Sequence, residues 1–251
     1  MSKKYRKESE ANLYHVVARG IAQQILFEDD NDRQYFGSCM RRYLCDYRVE
    51  LYAWCFMSNH VHLLLHARKE VMAKFMRQLL STYARYFNGR HGRSGHVFEG
   101  RYDSVAIEDE PQLLTAIRYI HRNPLSIPKQ DIYTYTWSSY REYLDTPFIT
   151  TTDEVMNLFA SKDDFVRFHE EWAEASPTPQ KTTTASRRML IDDEAVVYAQ
   201  QLLGVDSVTD IAALPKSMRD KCLACLKQNG FSISQIARLT GIGRNIVQRA
   251  K

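Results

Sequence analysis

Residues 13–19 (LYHVVAR) read as a first strand that Gly20 ends, and residues 31–47 place Tyr35, Phe36, Met40, Tyr43 and Leu44 at helical spacing. Residues 49–57 and 60–66 are rich in strand formers and are separated by Ser58-Asn59, which predicts a hairpin. Helical periodicity returns over 71–87, a glycine-rich loop occupies 89–100, and 102–107 is a further strand candidate. Residues 109–123 are predicted as a helix: acidic residues and Pro111 sit at its start, and Pro124 stops it by disfavouring helix in the residue before it. Strand, helix, strand, strand, helix, strand, helix is the order of an α+β fold. It predicts a ferredoxin-like antiparallel sheet with helices packed on one face.

Residues 137–172 read as an amphipathic helical segment anchored by Trp137, Tyr140, Tyr143, Phe159, Phe165 and Phe168. Residues 175–186 (ASPTPQKTTTAS) hold two prolines and no large apolar side chain, the composition of a linker. Beyond it, 192–203, 215–229, 232–240 and 243–250 are short helical patterns, with Ser232 and Gln235 forming a capping box. The predicted organisation is a first domain over 1–136, a helical extension over 137–174, the linker, and a helical domain over 187–251.

A chain of 251 residues, 44% hydrophobic and 25% charged, has material for a real core. Its apolar runs fall far short of the roughly 20 residues of a membrane span. Basic residues at the N-terminus lead into Glu8 and Glu10 rather than an apolar stretch, which is not a secretory pattern, so a cytoplasmic location is expected. Five cysteines, an odd number, suit free thiols in a reducing compartment. Cys222-x-x-Cys225 has the spacing of half a zinc site, but no second Cys or His pair accompanies it; two small residues on one helix face account for it.

The formal charge is +4, and the segment 187–251 carries all of the excess. A second basic cluster, Arg85, Arg90, Arg93 and Arg101, faces only Glu99 and is interleaved with Tyr86, Phe87, His91, His96 and Phe98. Cations beside aromatic rings suit single-stranded nucleic acid, whose phosphates and bases they contact together; a solvated loop is the alternative.

Alternate residues of a strand share a face, so His60 and His62 project together while Val61 points into the core. Two adjacent imidazoles on a rigid hairpin can hold one metal ion, or they are histidines making ordinary hydrogen bonds. Tyr119 and Asn123 stand four apart on the predicted helix and share a face, where an amide oxygen is able to complete a site that two histidines leave open. Helical spacing does not select Tyr119 over Tyr83 or Tyr86.

Several segments taken together resemble the single-tyrosine HUH transposases, and within them the REP-associated tyrosine transposases of bacteria. They are Tyr14-His15-Val16 with Arg19-Gly20, Met57-Ser58-Asn59-His60-Val61-His62-Leu63-Leu64, Gly95-His96-Val97-Phe98 with Gly100-Arg101-Tyr102, Tyr119-Ile120-His121-Arg122-Asn123-Pro124, and Trp137-Ser138-Ser139-Tyr140. They follow the family's order over roughly the first 145 residues, which gives the set a specificity that no single motif has. The resemblance implies an HUH nuclease core, a divalent ion (Mg2+ or Mn2+) held by His60, His62 and Asn123, and Tyr119 as nucleophile. It further implies nicking and rejoining of single-stranded DNA near a hairpin such as a REP-like palindrome, through a 5′-phosphotyrosine link, by a monomer or a homodimer. His121 and Arg122 lie between motif residues and receive no catalytic role.

Residues 236–247 resemble a helix-turn-helix, with Gly241 at the turn and Arg244, Asn245, Gln248 and Arg249 presented outward to phosphates or base edges. A regulator that binds DNA without cleaving it is the alternative from another class. A hydrolase acting on a small molecule would leave the basic aromatic loop unexplained.

Overall fold

The computed structural model describes residues 7–127, 130–171, 192–229 and 231–250. Its sheet has four strands, β1 (Leu13–Arg19), β2 (Glu50–Phe56), β3 (His60–His66) and β4 (Asp103–Ile107), in the order β2-β3-β1-β4 with every neighbouring pair antiparallel. Each strand presents alternate residues to two different layers. Tyr14, Val16 and Ala18 of β1 join Val61, Leu63 and Leu65 of β3 in one core, whereas Leu64 of β3 and Ala53 and Cys55 of β2 belong to another.

The first core is closed by α1 (Asp30–Tyr47) and α2 (Lys69–Arg90), which contribute Phe36, Met40, Phe75, Leu79 and Tyr83. Asp29 caps α1 by accepting the Asp32 N–H, and Arg48 ends it in the left-handed region at φ 52°. The second core is closed by α3 (Glu110–Arg122), through Leu113, Ile117 and Ile120. Asp109 caps α3 by accepting the Gln112 N–H, Pro111 occupies its first turn, and Asn123-Pro124 turns the chain out of it. The antiparallel α+β class is as the sequence predicts. The placement of all helices on one face is corrected, because α3 covers the face opposite α1 and α2: β2 and β3 are apolar on both sides, and each side needs a cover.

The stretch read as one amphipathic segment forms three short helices, α4 (Tyr140–Leu144), α5 (Asp153–Met156) and α6 (Lys162–Glu170); Trp172 lies outside the described residues. Tyr140, Tyr143 and Phe165 are fully buried, while Trp137 and Phe159 pack partly exposed. Before α4 the chain runs beside β2, where the Phe56 N–H donates to the Trp137 carbonyl (2.9 Å) and the Ser139 N–H to that of Trp54 (3.0 Å). From α3, Arg118 donates to the carbonyls of Phe168 and Glu171, and Arg122 to that of His169. Two cations thus satisfy the carbonyl end of α6 and bind it to the helix that carries Tyr119.

In the tail, α7 (Asp192–Leu203), α8 (Lys216–Gln228), α9 (Ile233–Thr240) and α10 (Arg244–Arg249) surround Leu223, Leu226, Ile236, Leu239 and Val247. Ser232 accepts the Gln235 N–H, as a capping residue does. The predicted linker at 175–186 lies outside the described residues. Ile25, a few residues after β1, inserts into the tail's core, and its N–H donates to the Arg238 carbonyl (3.4 Å). Gly241 turns the chain between α9 and α10 at φ 65°, where a Cβ would collide with the Arg93 guanidinium.

Beside this junction lies Glu28, 8% exposed. Burial, helped by the charges of Asp32 and Asp210, pushes its carboxyl up to about 8 against the partial relief of Arg93 and Thr209. A carboxyl that binds its proton more tightly when folded costs nothing below its unfolded value near 4.5 and destabilises the fold as pH climbs from there toward 8. Glu28→Gln, which fixes the neutral form, is therefore expected to match the parent at pH 5 and exceed its stability by roughly 2–4 kcal/mol at pH 8. Urea unfolding at the two pH values measures this, and an equal difference at both would contradict it.

Among the described residues no helix is long and apolar enough to cross a membrane, and all five cysteines are free thiols.

Candidate active site

The hairpin tip that precedes β3 is fixed from two sides. Within it the Met57 N–H donates to the His60 carbonyl (2.9 Å), and from the segment after β1 the N–H groups of Gly20 and Leu26 donate to the carbonyls of Asn59 (2.9 Å) and Ser58 (2.7 Å). His60 and His62 leave this anchored strand toward α3, and Val61 points into the opposite core.

His62 is 1% exposed. Its Nδ1 lies 2.9 Å from Nε2 of His15, and Nδ1 of His60 lies 2.7 Å from Oδ1 of Asn59. Each contact engages Nδ1 and leaves Nε2 of the ligand-type histidine for another partner. Nε2 of His62 is buried and has no hydrogen-bond partner among the described residues. Burial lowers the titration of His60 to about 4, with the Arg19 charge adding to the effect and a hydrogen bond to Asn123 opposing it. Burial also drives His62 well below its ordinary value, followed by the charges of His60, His15 and Arg19. Both rings are neutral at physiological pH, so each keeps a lone pair.

Tyr119 arrives from α3. Its ring centre lies 5.5 Å from that of His62 and 5.7 Å from that of His15, edge-on to both. Asn123 donates through Nδ2 to the Tyr119 carbonyl (2.9 Å) while its side chain also reaches His60. His60, His62, Tyr119 and Asn123, selected from the sequence, thus meet in one place, and all come from one chain. The donor set fits a divalent ion: two neutral imidazoles, one with an orphaned buried nitrogen, and an amide at the rim. Among the described residues there is no group of three or more His, Cys, Asp or Glu side chains arranged to hold a metal, so such an ion needs further oxygen ligands from elsewhere.

Two residues at this site stand in the sequence segments quoted above, where neither receives a role. His15 and Arg19 share the β1 face that looks toward α3, and register sets Arg19 opposite His60. Period-two alternation marks them as one face of a strand, but only the adjacency of β1 and β3 brings that face to the histidine pair.

The cations expected to touch DNA separate into two groups. Arg85, Arg101, Arg244, Asn245, Gln248 and Arg249 are exposed. Arg93 is half-buried and engaged inside the fold, and Arg90, although also exposed, is held in ion pairs. The Arg90 guanidinium pairs with Asp29 and Asp32 (both 2.5 Å), and holds the Asp29 carboxyl down to about 2. Arg93 donates to Oε1 of Gln24 (2.7 Å) and lies against Gly241 of the tail. Their partners stand some sixty residues away, beyond the reach of a local reading of charge.

Residues 9–123 fit the family model described as IS200-like transposase. Among solved structures, the fold resembles a REP-associated tyrosine transposase bound to a REP hairpin, at TM-score 0.50 and 13% identity over 57% of this chain and 86% of that one. A Deinococcus radiodurans R1 protein assigned as a transposase aligns at TM-score 0.33 and 22% identity, over 49% of this chain and 95% of that one. No curated protein matches the chain.

Proposed function

We propose that the chain is a transposase that cleaves and rejoins single-stranded DNA beside a hairpin, with Tyr119 as the nucleophile and a 5′-phosphotyrosine intermediate. The observation that carries the reading is the approach of the Tyr119 ring to His62 and His15 within a single chain. The phenol oxygen attacks the phosphorus, the bond to the 3′-oxygen breaks, and the phenolic proton ends on the released 3′-hydroxyl; attack by a second 3′-hydroxyl reverses the step and joins strands. His60, His62 and Asn123 would hold Mg2+ or Mn2+, which when bound withdraws charge from a non-bridging phosphate oxygen. His15 and Asn59 hold the two imidazoles with Nε2 directed into the site. Because every residue of this set lies on one chain, a monomer suffices.

On this reading 1–136 form the catalytic domain, 137–174 hold the tyrosine helix, and 187–251 form a helix-turn-helix domain joined through 175–186. Arg244, Asn245, Gln248 and Arg249, exposed on α10, supply contacts to duplex DNA such as the stem of a REP-like hairpin. The structural relative bound to a REP hairpin supports the choice of substrate.

The test is incubation with Mg2+ or Mn2+ and a 3′-labelled oligonucleotide carrying a hairpin next to a single-stranded flank. A labelled protein band that survives denaturation and disappears with EDTA is expected. Hairpin binding with no covalent band in either metal would instead identify a DNA-binding regulator.

A further inference from the structure

On the opposite side of the sheet from Tyr119, α2 stands over the loop that leads into β4, and between them lies a groove of about 660 Å3. The α2 wall is a stripe at helical spacing that includes Lys74, Arg77 and Ser81; the loop wall includes His96, Phe98 and Arg101. Lys74, Arg77 and Arg101 are exposed and make no ion pair among the described residues, and no carboxylate lines the groove. Its floor is apolar, with Leu80, Val97 and Phe98 at the bottom.

The groove is built in advance of any ligand. The Ile21 N–H donates to the Val97 carbonyl (2.9 Å), the Glu99 N–H to that of Arg19 (2.8 Å), and Nδ2 of Asn88 to that of Gly95 (2.9 Å). The first two bonds tie the loop to the end of β1, whose Arg19 stands opposite His60 in the register of the sheet, and the third ties it to α2.

We infer that this groove is a second DNA site, which takes a single strand flanking the point of cleavage. The inference rests on the reading of the chain as acting on single-stranded DNA. Unpaired cations along the rim suit successive phosphates, and the apolar floor suits a base turned inward, a combination that a duplex with its bases stacked inside cannot use. The volume lies within the ~300–1,000 Å3 of small-ligand sites, enough for a short run of nucleotides and too little for a double helix. A strand leaving the groove past the anchored loop rounds the end of β1 at Arg19 and arrives at His60, so one continuous segment serves both sites.

Fluorescence anisotropy with a labelled oligothymidylate, which forms no hairpin, tests this in EDTA so that no cleavage intervenes. Replacing the three exposed cations together, Lys74→Gln, Arg77→Gln and Arg101→Gln, is expected to weaken binding about thirtyfold. It should also reduce the slope of log affinity against log salt by about 2, given ~0.7 per phosphate contact on a single strand. Arg101→Gln alone, in a loop where folding is not at stake, should cost about threefold. Unchanged affinity and slope in both variants would overturn the inference. So would equal displacement of the oligonucleotide by a duplex or by thymidine monophosphate, which would make the groove a duplex or nucleotide site. Covalent adduct formation is scored separately, so a chain that binds oligothymidylate through these cations yet forms no adduct leaves this site standing and removes only the catalytic reading.

Discussion

Tyr119→Phe is expected to abolish the covalent protein–DNA band, a loss of at least about 10^3-fold in the rate of adduct formation, because the variant lacks the only atom that joins the strand to the protein. The substitution is a narrow one. The ring that packs edge-on to His62 and His15 is kept, and the hydroxyl that is lost has no hydrogen-bond partner among the described residues. Stability should change by no more than about 0.5 kcal/mol, the range of a substitution that touches no core contact. Binding of Mn2+ to the histidine pair, followed by calorimetry, should also persist. Denaturing gels of single-turnover reactions give the measurement. An adduct surviving at a tenth of the parental rate would move the nucleophile to another residue.

How much of this site was open to sequence reading follows from the range of the interactions that build it. Strand alternation puts His60 and His62 on one side without reference to the rest of the chain, and the Asp109, Pro111 and Pro124 signals bound α3 closely. The choice among tyrosines is a different matter, since it depends on which face of the sheet each helix covers. Tyr83 goes to the far core, where its hydroxyl donates to the Leu26 carbonyl; Tyr86 stacks on Tyr35; α3 covers the other face and sets Tyr119 against His62 and His15. His15 and Arg19 needed the pairing of β1 with β3, which no local pattern encodes. The extension was misread as more continuous than it is for the same reason. Glu142 accepts the N–H groups of Phe148, Ile149 and Thr150 at 2.7, 2.8 and 2.9 Å, and the Thr151 N–H donates to the Leu51 carbonyl of β2, so tertiary partners hold open a turn around Pro147.

His121→Ala should be strongly destabilising, by about 3–5 kcal/mol in urea unfolding. His121 is fully buried between His169 (2.9 Å from Nδ1) and Ser139 (2.8 Å from Nε2), and Nδ1 of His169 contacts the Phe165 carbonyl at 2.8 Å. That carbonyl accepts only, which fixes the direction of every proton behind it. His169 donates through Nδ1 and accepts at Nε2, His121 donates to His169 and accepts from the Ser139 hydroxyl, and the Ser139 oxygen accepts the Trp54 N–H (2.9 Å). Burial holds His169 down to about 4 and His121 well below its ordinary value, so both imidazoles are neutral and the chain closes in this direction. Alanine removes a ring enclosed by Tyr140, Tyr143 and Phe165 and strands the buried Nε2 of His169, while the Ser139 hydroxyl falls back on the Trp54 carbonyl at 3.3 Å. The network joins β2, α3 and α6, and Tyr119 lies two residues from His121 on α3, so its cost falls on the element that carries the nucleophile. A loss under about 1 kcal/mol would show that apolar packing fastens α3 without the relay.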